Sequence, residues 1–231
     1  MLEVKTVDEV FQIISEEFSG YPLEDESVSI LQANGRILAE DIISPENVPP
    51  FNRSSVDGYA VIASDTFGAS ESMSAQLLKT DPVEMGITPT SPVKRGSAAY
   101  IPTGGELPRN ADAVVMVEYT EDHNDEFIYI NRPVAPGNNV VLTGDDIRSG
   151  GIVFHSGKIL KTADIGVLAS IGVTQVKVKR KLKAGIISTG DEIIPIDKKP
   201  EGSQVRDINS YFLYASLKEY NAEPVIYGII P

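Results

Sequence analysis

Cysteine and tryptophan are absent from the 231 residues, and histidine occurs only twice. Without cysteine there is no disulfide and no thiolate metal site. His123 lies in a run of acidic and amide residues and His155 in PheHisSerGly. Neither has a partner nearby in sequence, so both read as exposed polar residues. No apolar run approaches the roughly 18 residues that a membrane span requires. The N-terminus, MetLeuGluValLysThrVal, lacks the basic start and apolar stretch of a secretory signal. The expected compartment is the cytoplasm, with no membrane partner. Positive charge is also scarce, since 20 basic against 33 acidic residues leave a net charge of −13. Such a chain repels nucleic acid unless its basic residues cluster. The densest basic run, Lys177 to Lys181, alternates with Val176 and Val178, so it reads as the solvent face of a strand and no nucleic-acid partner is expected. Aromatics make up 7% of the chain, against 19 Gly and 15 Pro, a balance that predicts many turns and modest cores.

The pattern opens with a helix. Thr6 and Glu9 have capping-box spacing, Val10, Phe11, Ile14 and Phe18 form an apolar stripe, and Gly20 and Pro22 end it. Ser27 to Ala39 predicts a short strand, a turn at Asn34-Gly35 and a second apolar piece. Val48-Pro49-Pro50 is a stiff joint. From Phe51 to about Pro136 short strands alternate with turns. Ala113 to Val117 is the most apolar of these strands, and Glu121 to Glu126 is an acidic hairpin tip. A second joint at Val134 to Asn139 makes the β-rich stretch an insertion. Beyond it, Thr162 caps a short helix that stops at Gly172, and a strand runs through Val178. Ala184 to Ile187 then reads as a strand, Ile208 to Tyr220 as a helix and Pro224 to Ile230 as a strand. This is one βαβ unit, the opening of a parallel sheet that a single unit cannot cover on both faces.

Four segments carry candidate chemistry. Asp57-Gly58, in ProProPheAsnArgSerSerValAspGlyTyrAlaVal, reads as a tight turn at positive φ or as a carboxylate held at a defined place. Thr103-Gly104-Gly105 offers a hydroxyl and backbone N–H groups for an anion-binding nest, or is a glycine turn before a buried strand. Asp145 and Asp146 suit a hard cation such as magnesium, or are solvated turn carboxylates. If they lie on a strand, at most one faces a given site. Ser188 to Glu192, SerThrGlyAspGlu, follows the first strand of the βαβ unit, where ligands of parallel sheets bind.

In this order, these motifs resemble the molybdopterin molybdenumtransferase family, known as MoeA in bacteria and as the E domain of gephyrin in animals. The resemblance runs from Asn34 to Ile42 through the motifs above and ends at Val205 to Tyr211, covering essentially the whole chain. It implies a multi-domain α+β fold. An elongated β-rich N-terminal region carries an inserted β-rich domain and is followed by the start of a parallel, molybdopterin-binding-like α/β domain. On that plan residues 1–46 plus 138–180 form a linker and dimerisation domain, 47–137 the insert, and 181–231 an incomplete α/β domain. The resemblance further implies a homodimer, a molybdopterin adenylyltransferase as upstream partner, and insertion of molybdate into adenylylated molybdopterin with release of AMP. It implies dependence on Mg2+, without naming the metal's ligands. The family's catalytic residues fall on Asp57, Thr103, Asp146 and Glu192, while Ser188, Thr189, Gly190 and Asp191 would line the pterin-phosphate pocket. There are departures. Asn52 stands where the family usually has aspartate and Val141 where arginine is typical, and Gly105 and Glu106 are also unusual. The family's plan calls for further chain after Pro231, so this portion is expected to be inactive alone. Two rivals remain: a non-catalytic dimerisation or scaffolding module, and a nucleotide-pyrophosphate hydrolase sharing only the α/β part.

Overall fold

The computed structural model describes residues 4–20 and 23–230. Pro22, expected to help end the first helix, lies outside them. The first third contains α1 (Val7–Phe18), β1 (Asp25–Ser29), β2 (Ile42–Ile43), β3 (Arg53–Ser54), β4 (Gly58–Val61) and β5 (Ala75–Thr80). Next come β6 (Ser97–Ile101), β7 (Ala113–Met116), β8 (Thr120–Glu121), β9 (Phe127–Ile130), β10 (Val140–Val141) and β11 (Ile152–Phe154). The last third holds α2 (Thr162–Ser170), β12 (Gln175–Lys179), β13 (Lys183–Thr189), β14 (Ile193–Ile194), β15 (Val205–Arg206), α3 (Asn209–Glu219) and β16 (Glu223–Ile230). The fold is β-rich with few helices. None of the described helices is long and apolar enough to cross a membrane. The chain divides into two compact units. One comprises Met1–Asp41, Phe154–Ala169 and Val173–Pro231, the other Ile42–Val153 and Ser170–Gly172.

The second unit is built on a six-stranded sheet in the order β7-β4-β6-β5-β9-β8, antiparallel except for β5 with β6. Successive strand side chains point to opposite faces. Tyr59 and Val61 of β4 join Ala113, Val115, Ile128 and Ile130 in one apolar cluster, and Ala60 joins Val114, Ile101 and Val83 in another. With both faces covered, β4 and β7 read as unbroken apolar runs, which is why Ala113 to Val117 stood out. Val114 and Val115 are fully buried, and each contributes roughly 1.5–3 kcal/mol by leaving water. Gly58 corrects one expectation. It is not at positive φ and is not a turn residue. It begins β4, where a Cβ would be driven into the Val115 carbonyl oxygen of β7 and lie 3.1 Å from Val114 Cγ1. Close approach of two strands, not turn geometry, requires glycine here.

In the first unit, α1 carries the capping box. The Glu9 N–H donates to Thr6 Oγ1 at 3.3 Å, and the Thr6 N–H donates to Glu9 Oε2 at 2.7 Å. Its apolar stripe finds no cover, since no α1 residue is buried and Phe11 is 67% exposed. β1 pairs antiparallel with β12, whose Val176 and Val178 are buried while Lys177 faces out, as the alternation predicts. Thr162 is the first residue of α2 and not its cap. The Lys161 N–H donates instead to Asp164 Oδ2 at 2.8 Å. Gly172, at φ 72°, follows the helix end. β13, α3 and β16 form a βαβ unit with parallel strands, Lys183 facing Glu223 and Thr189 facing Ile230. Ser188 and Thr189 belong to the strand itself, so the polar turn is shorter than the motif suggests.

Gly58→Ala is expected to cost about 3 kcal/mol or more, because a carbonyl within a strand pair cannot yield without parting the strands. Gly166→Ala in α2, where the added methyl meets nothing within 4 Å, should instead gain about 0.5–1 kcal/mol. Urea unfolding checks both, and an unchanged Gly58→Ala midpoint would contradict the steric argument.

Candidate functional site

Asp57 stands just before β4, and Thr103 lies two residues beyond β6. The antiparallel register sets Gly58 opposite Ile101, so the chain entering β4 runs beside the chain leaving β6. Asp57 Oδ1 accepts from the Thr103 N–H at 2.7 Å and from Thr103 Oγ1 at 3.0 Å. The Asp57 carbonyl also accepts from the Val117 N–H at 3.0 Å. The other carboxylate oxygen, Oδ2, makes no hydrogen bond among the described residues, and both side chains are exposed. The result is a carboxylate fixed through one oxygen and presenting the other.

A second clamp repeats the first. β3 pairs with β10, Arg53 opposite Val141, and Asn52 Oδ1 accepts from the Thr143 N–H at 2.8 Å and from Thr143 Oγ1 at 3.0 Å. Each threonine precedes a glycine at positive φ, Gly104 at 83° and Gly144 at 75°. Sequence reasoning passed over Thr143, although the repeated Thr-Gly pair behind a strand was the available signal. Only the carbonyl oxygen of Asn52 is used, so the clamp needs no charge there. Asp145 Oδ2 accepts from the Leu142 N–H at 2.8 Å, as a turn carboxylate does. The Asp146 N–H donates to the Val48 carbonyl at 3.0 Å, and its exposed carboxylate makes no hydrogen bond among the described residues. The two aspartates thus sit in a turn beyond β10, not on a strand. Residues 48–57 are the shared bed, holding the Asp146 turn at one end and the Thr103 loop at the other.

The glycine nest is not available. The Thr103 N–H is spent on Asp57, the Gly104 N–H donates to Ser54 O at 2.8 Å and the Gly105 N–H to Pro102 O at 2.9 Å. All three donors hold the loop against its own unit, which leaves none for an anion.

The remaining predicted residues belong to the other unit, at the C-terminal end of β13. Ser188 is buried, and its Oγ lies 2.8 Å from Ser210 Oγ at the start of α3. Asp207 Oδ1 accepts from the Ser210 N–H at 3.0 Å, the work of a helix N-cap. Thr189 and Asp191 are exposed. Gly190 adopts φ 147°, and the Glu192 carboxylate folds back over it, 2.8 Å from where a Cβ would stand. The Ile193 N–H closes the turn on the Gly190 carbonyl at 3.1 Å. Asp207 and Ser210 were not singled out from the sequence. An aspartate three residues ahead of a helical serine was the signal.

Residues 5–172 match the family model described as MoeA N-terminal region (domain I and II). The chain belongs to the MoeA family. A molybdopterin molybdenumtransferase of Haemophilus influenzae is 34% identical over 91% of this chain, which covers 51% of that relative. Two solved structures titled as the molybdopterin biosynthesis MoeA protein of Pyrococcus horikoshii superpose with TM-scores of 0.82 and 0.90, at 38% and 34% identity. They cover 98% and 99% of this chain, and it covers 57% and 60% of theirs. This MoeA chain therefore spans about half the length of the curated relatives it matches.

Within the MoeA chain, no group of three or more His, Asp or Glu that would hold a metal ion occurs among the described residues. Mg2+ does not need such a cage, because it takes one or two carboxylates and completes its shell with water and substrate phosphates. Asp146 and Glu192, exposed and without a side-chain hydrogen bond among the described residues, are donors of that type.

Burial raises the Asp207 pKa, but the bonds from Ser210, with those from Ser188 and Asn209, outweigh it and hold the carboxyl below the ordinary carboxylate range. A depressed folded pKa stabilises the fold above the unfolded value of about 3.9, and that contribution is lost as pH falls through the folded value. Asp207→Asn keeps an acceptor oxygen but no charge. It is expected to be about 1–3 kcal/mol less stable at pH 7, with the deficit shrinking below about pH 4. Melting curves across pH test this, and a deficit independent of pH would reject it.

Proposed function

We propose that this chain is the N-terminal portion of a molybdopterin molybdenumtransferase, which inserts molybdate into the dithiolene of adenylylated molybdopterin. The pyrophosphate bond of that substrate breaks and AMP leaves. The observation that carries the reading is the Asp57–Thr103 clamp, which presents one charged oxygen at a fixed place beside the family's motif. The substrates are anions and the chain carries a net charge of −13, so its carboxylates repel them directly. Mg2+, when bound, would be held by exposed carboxylates and would supply positive charge to offset the charge on the leaving AMP. Asp146 and Glu192, one in each unit, are exposed carboxylates of that kind. Thr103 keeps Asp57 oriented, and Thr189, Gly190 and Asp191 offer the exposed polar edge for the pterin phosphate. Ser188 supports that edge from below through Ser210.

The βαβ unit formed by β13, α3 and β16 belongs, on this reading, to a larger parallel sheet supplied by further chain, with 181–231 as its beginning. Residues 1–46 plus 138–180 and the insert 47–137 are the family's other two domains. Uncovered apolar residues on α3 and β16, Phe212 and Tyr227 among them, support this, since parallel sheets are covered on both faces.

In the parent protein, Glu192→Gln is expected to abolish AMP release from adenylylated molybdopterin and molybdate while leaving the melting temperature unchanged. Asp57→Asn, which keeps both bonds from Thr103, should lower turnover by about 100-fold or more. Wild-type AMP release from both variants would remove the proposed roles. An intact protein that dimerises yet neither binds nor turns over these substrates would favour the scaffolding module.

The homodimer is part of the proposal, and the uncovered stripe of α1 is its support. Phe11→Glu is expected to shift the parent protein from dimer toward monomer in light scattering, with its circular dichroism unchanged. A dimer of undiminished affinity would place the interface elsewhere.

A further inference from the structure

The first unit contains a cavity of about 510 Å3 away from the Ser188 to Glu192 edge. Its walls include Phe18, Ile159, Leu182, Leu217 and Tyr220. Among the described residues its lining carries five cations (Arg36, Lys179, Arg180, Lys181 and Lys183) and no carboxylate. In a chain with 13 more acidic than basic residues, that is a marked local reversal of charge. Volume and apolar walls match small-molecule sites, where a few placed polar groups set orientation.

Three hydrogen bonds tie together the segments around the cavity. Asn221, at φ 60°, donates from Nδ2 to the Gly35 carbonyl at 2.7 Å, tying the end of α3 to the turn after β1. The Glu223 N–H donates to Leu182 O at 2.8 Å, and the Arg180 N–H to Glu24 O at 2.7 Å. Three of the cations are balanced from outside the lining, Arg36 by Glu26, Lys179 by Asp25 and Arg180 by Glu24. Lys181 and Lys183 have no ion-pair partner among the described residues, although the charge of Lys181 is felt by Glu26. Arg36 is only 6% exposed, and its Nη2 donates to Glu26 and to the Lys179 carbonyl. Its Nε and Nη1 make no hydrogen bond among the described residues, where no buried side-chain nitrogen lacks a partner. These nitrogens keep some access to solvent, and Arg36 is one of the residues that line the cavity.

We propose that this cavity binds an amphiphilic organic anion, its apolar body against Phe18, Leu182, Leu217 and Tyr220 and its phosphate or carboxylate head at Arg36, Lys181 and Lys183. The site is independent of the Asp57 and Glu192 chemistry, and its test does not depend on turnover. The probe is 1-naphthyl phosphate, titrated calorimetrically beside inorganic phosphate and uncharged 1-naphthol. Naphthyl phosphate is expected to bind one per chain and at least about tenfold tighter than either half-molecule. The rim variants Lys181→Glu/Lys183→Glu and Tyr220→Ala should each weaken it by about tenfold. Inorganic phosphate binding as tightly would reduce the site to surface charge, and naphthol binding as tightly would reduce it to an apolar patch. Either result overturns the proposal, as does unchanged affinity in both variants or no binding up to about 1 mM.

Discussion

A strand buried on both faces tolerates a single register, because a slip of one residue exchanges its two faces and disturbs two cores at once. β4 is such a strand, with Tyr59 and Val61 in one apolar cluster and Ala60 in the other. Gly58 tightens the constraint further, since β7 approaches too closely for any side chain at that position. The geometry around Asp57 follows. With β4 locked against β6 and β7, the residue before it must lie beside the loop after β6, and Thr103 closes on its carboxylate with two bonds. A candidate site residue on a loop is thereby placed with the accuracy of a sheet. The same device, an Asx oxygen held by a Thr-Gly turn, recurs at Asn52 and Thr143.

Charge is distributed with the same economy. The backbone donors near Asp57 hold the loop together, so the unit presents carboxylate oxygens to the outside and keeps its N–H groups for itself. Carboxylates by themselves repel an anion, and the amides beside Asp57 are already engaged. The cavity in the other unit works by the opposite rule, gathering five cations and apolar walls in one place. The two arrangements carry opposite local charge.

In the βαβ unit a polar group is buried beside Ile186 and Ala222, while several large apolar side chains are exposed. Ser188, Asp207 and Ser210 form a buried hydrogen-bonded group joining the end of β13 to the start of α3. Phe212 and Tyr227 are exposed. The buried group fixes where the loop from Gly190 to Glu192 begins.

Much of this was legible in the order of residues. Thr6 and Glu9 announced the capped helix, the alternation of Val176 and Val178 with lysines announced a half-buried strand, and Ala113 to Val117 announced a buried one. The motifs around Asp57, Thr103, Asp146 and Glu192 marked the family, because local chemistry and spacing survive in one dimension. Whether Gly58 served a turn or a close approach was not legible, since that depends on a carbonyl of a strand more than fifty residues away. Nor was it legible that the donors of Thr103, Gly104 and Gly105 are consumed, that Asn52 finds Thr143, or that the basic residues from Lys179 to Lys183 meet Arg36 around a cavity. Pairings between distant segments are set by sheet register and packing. A sequence determines which groups are available, and only the folded chain decides which of them are already spent.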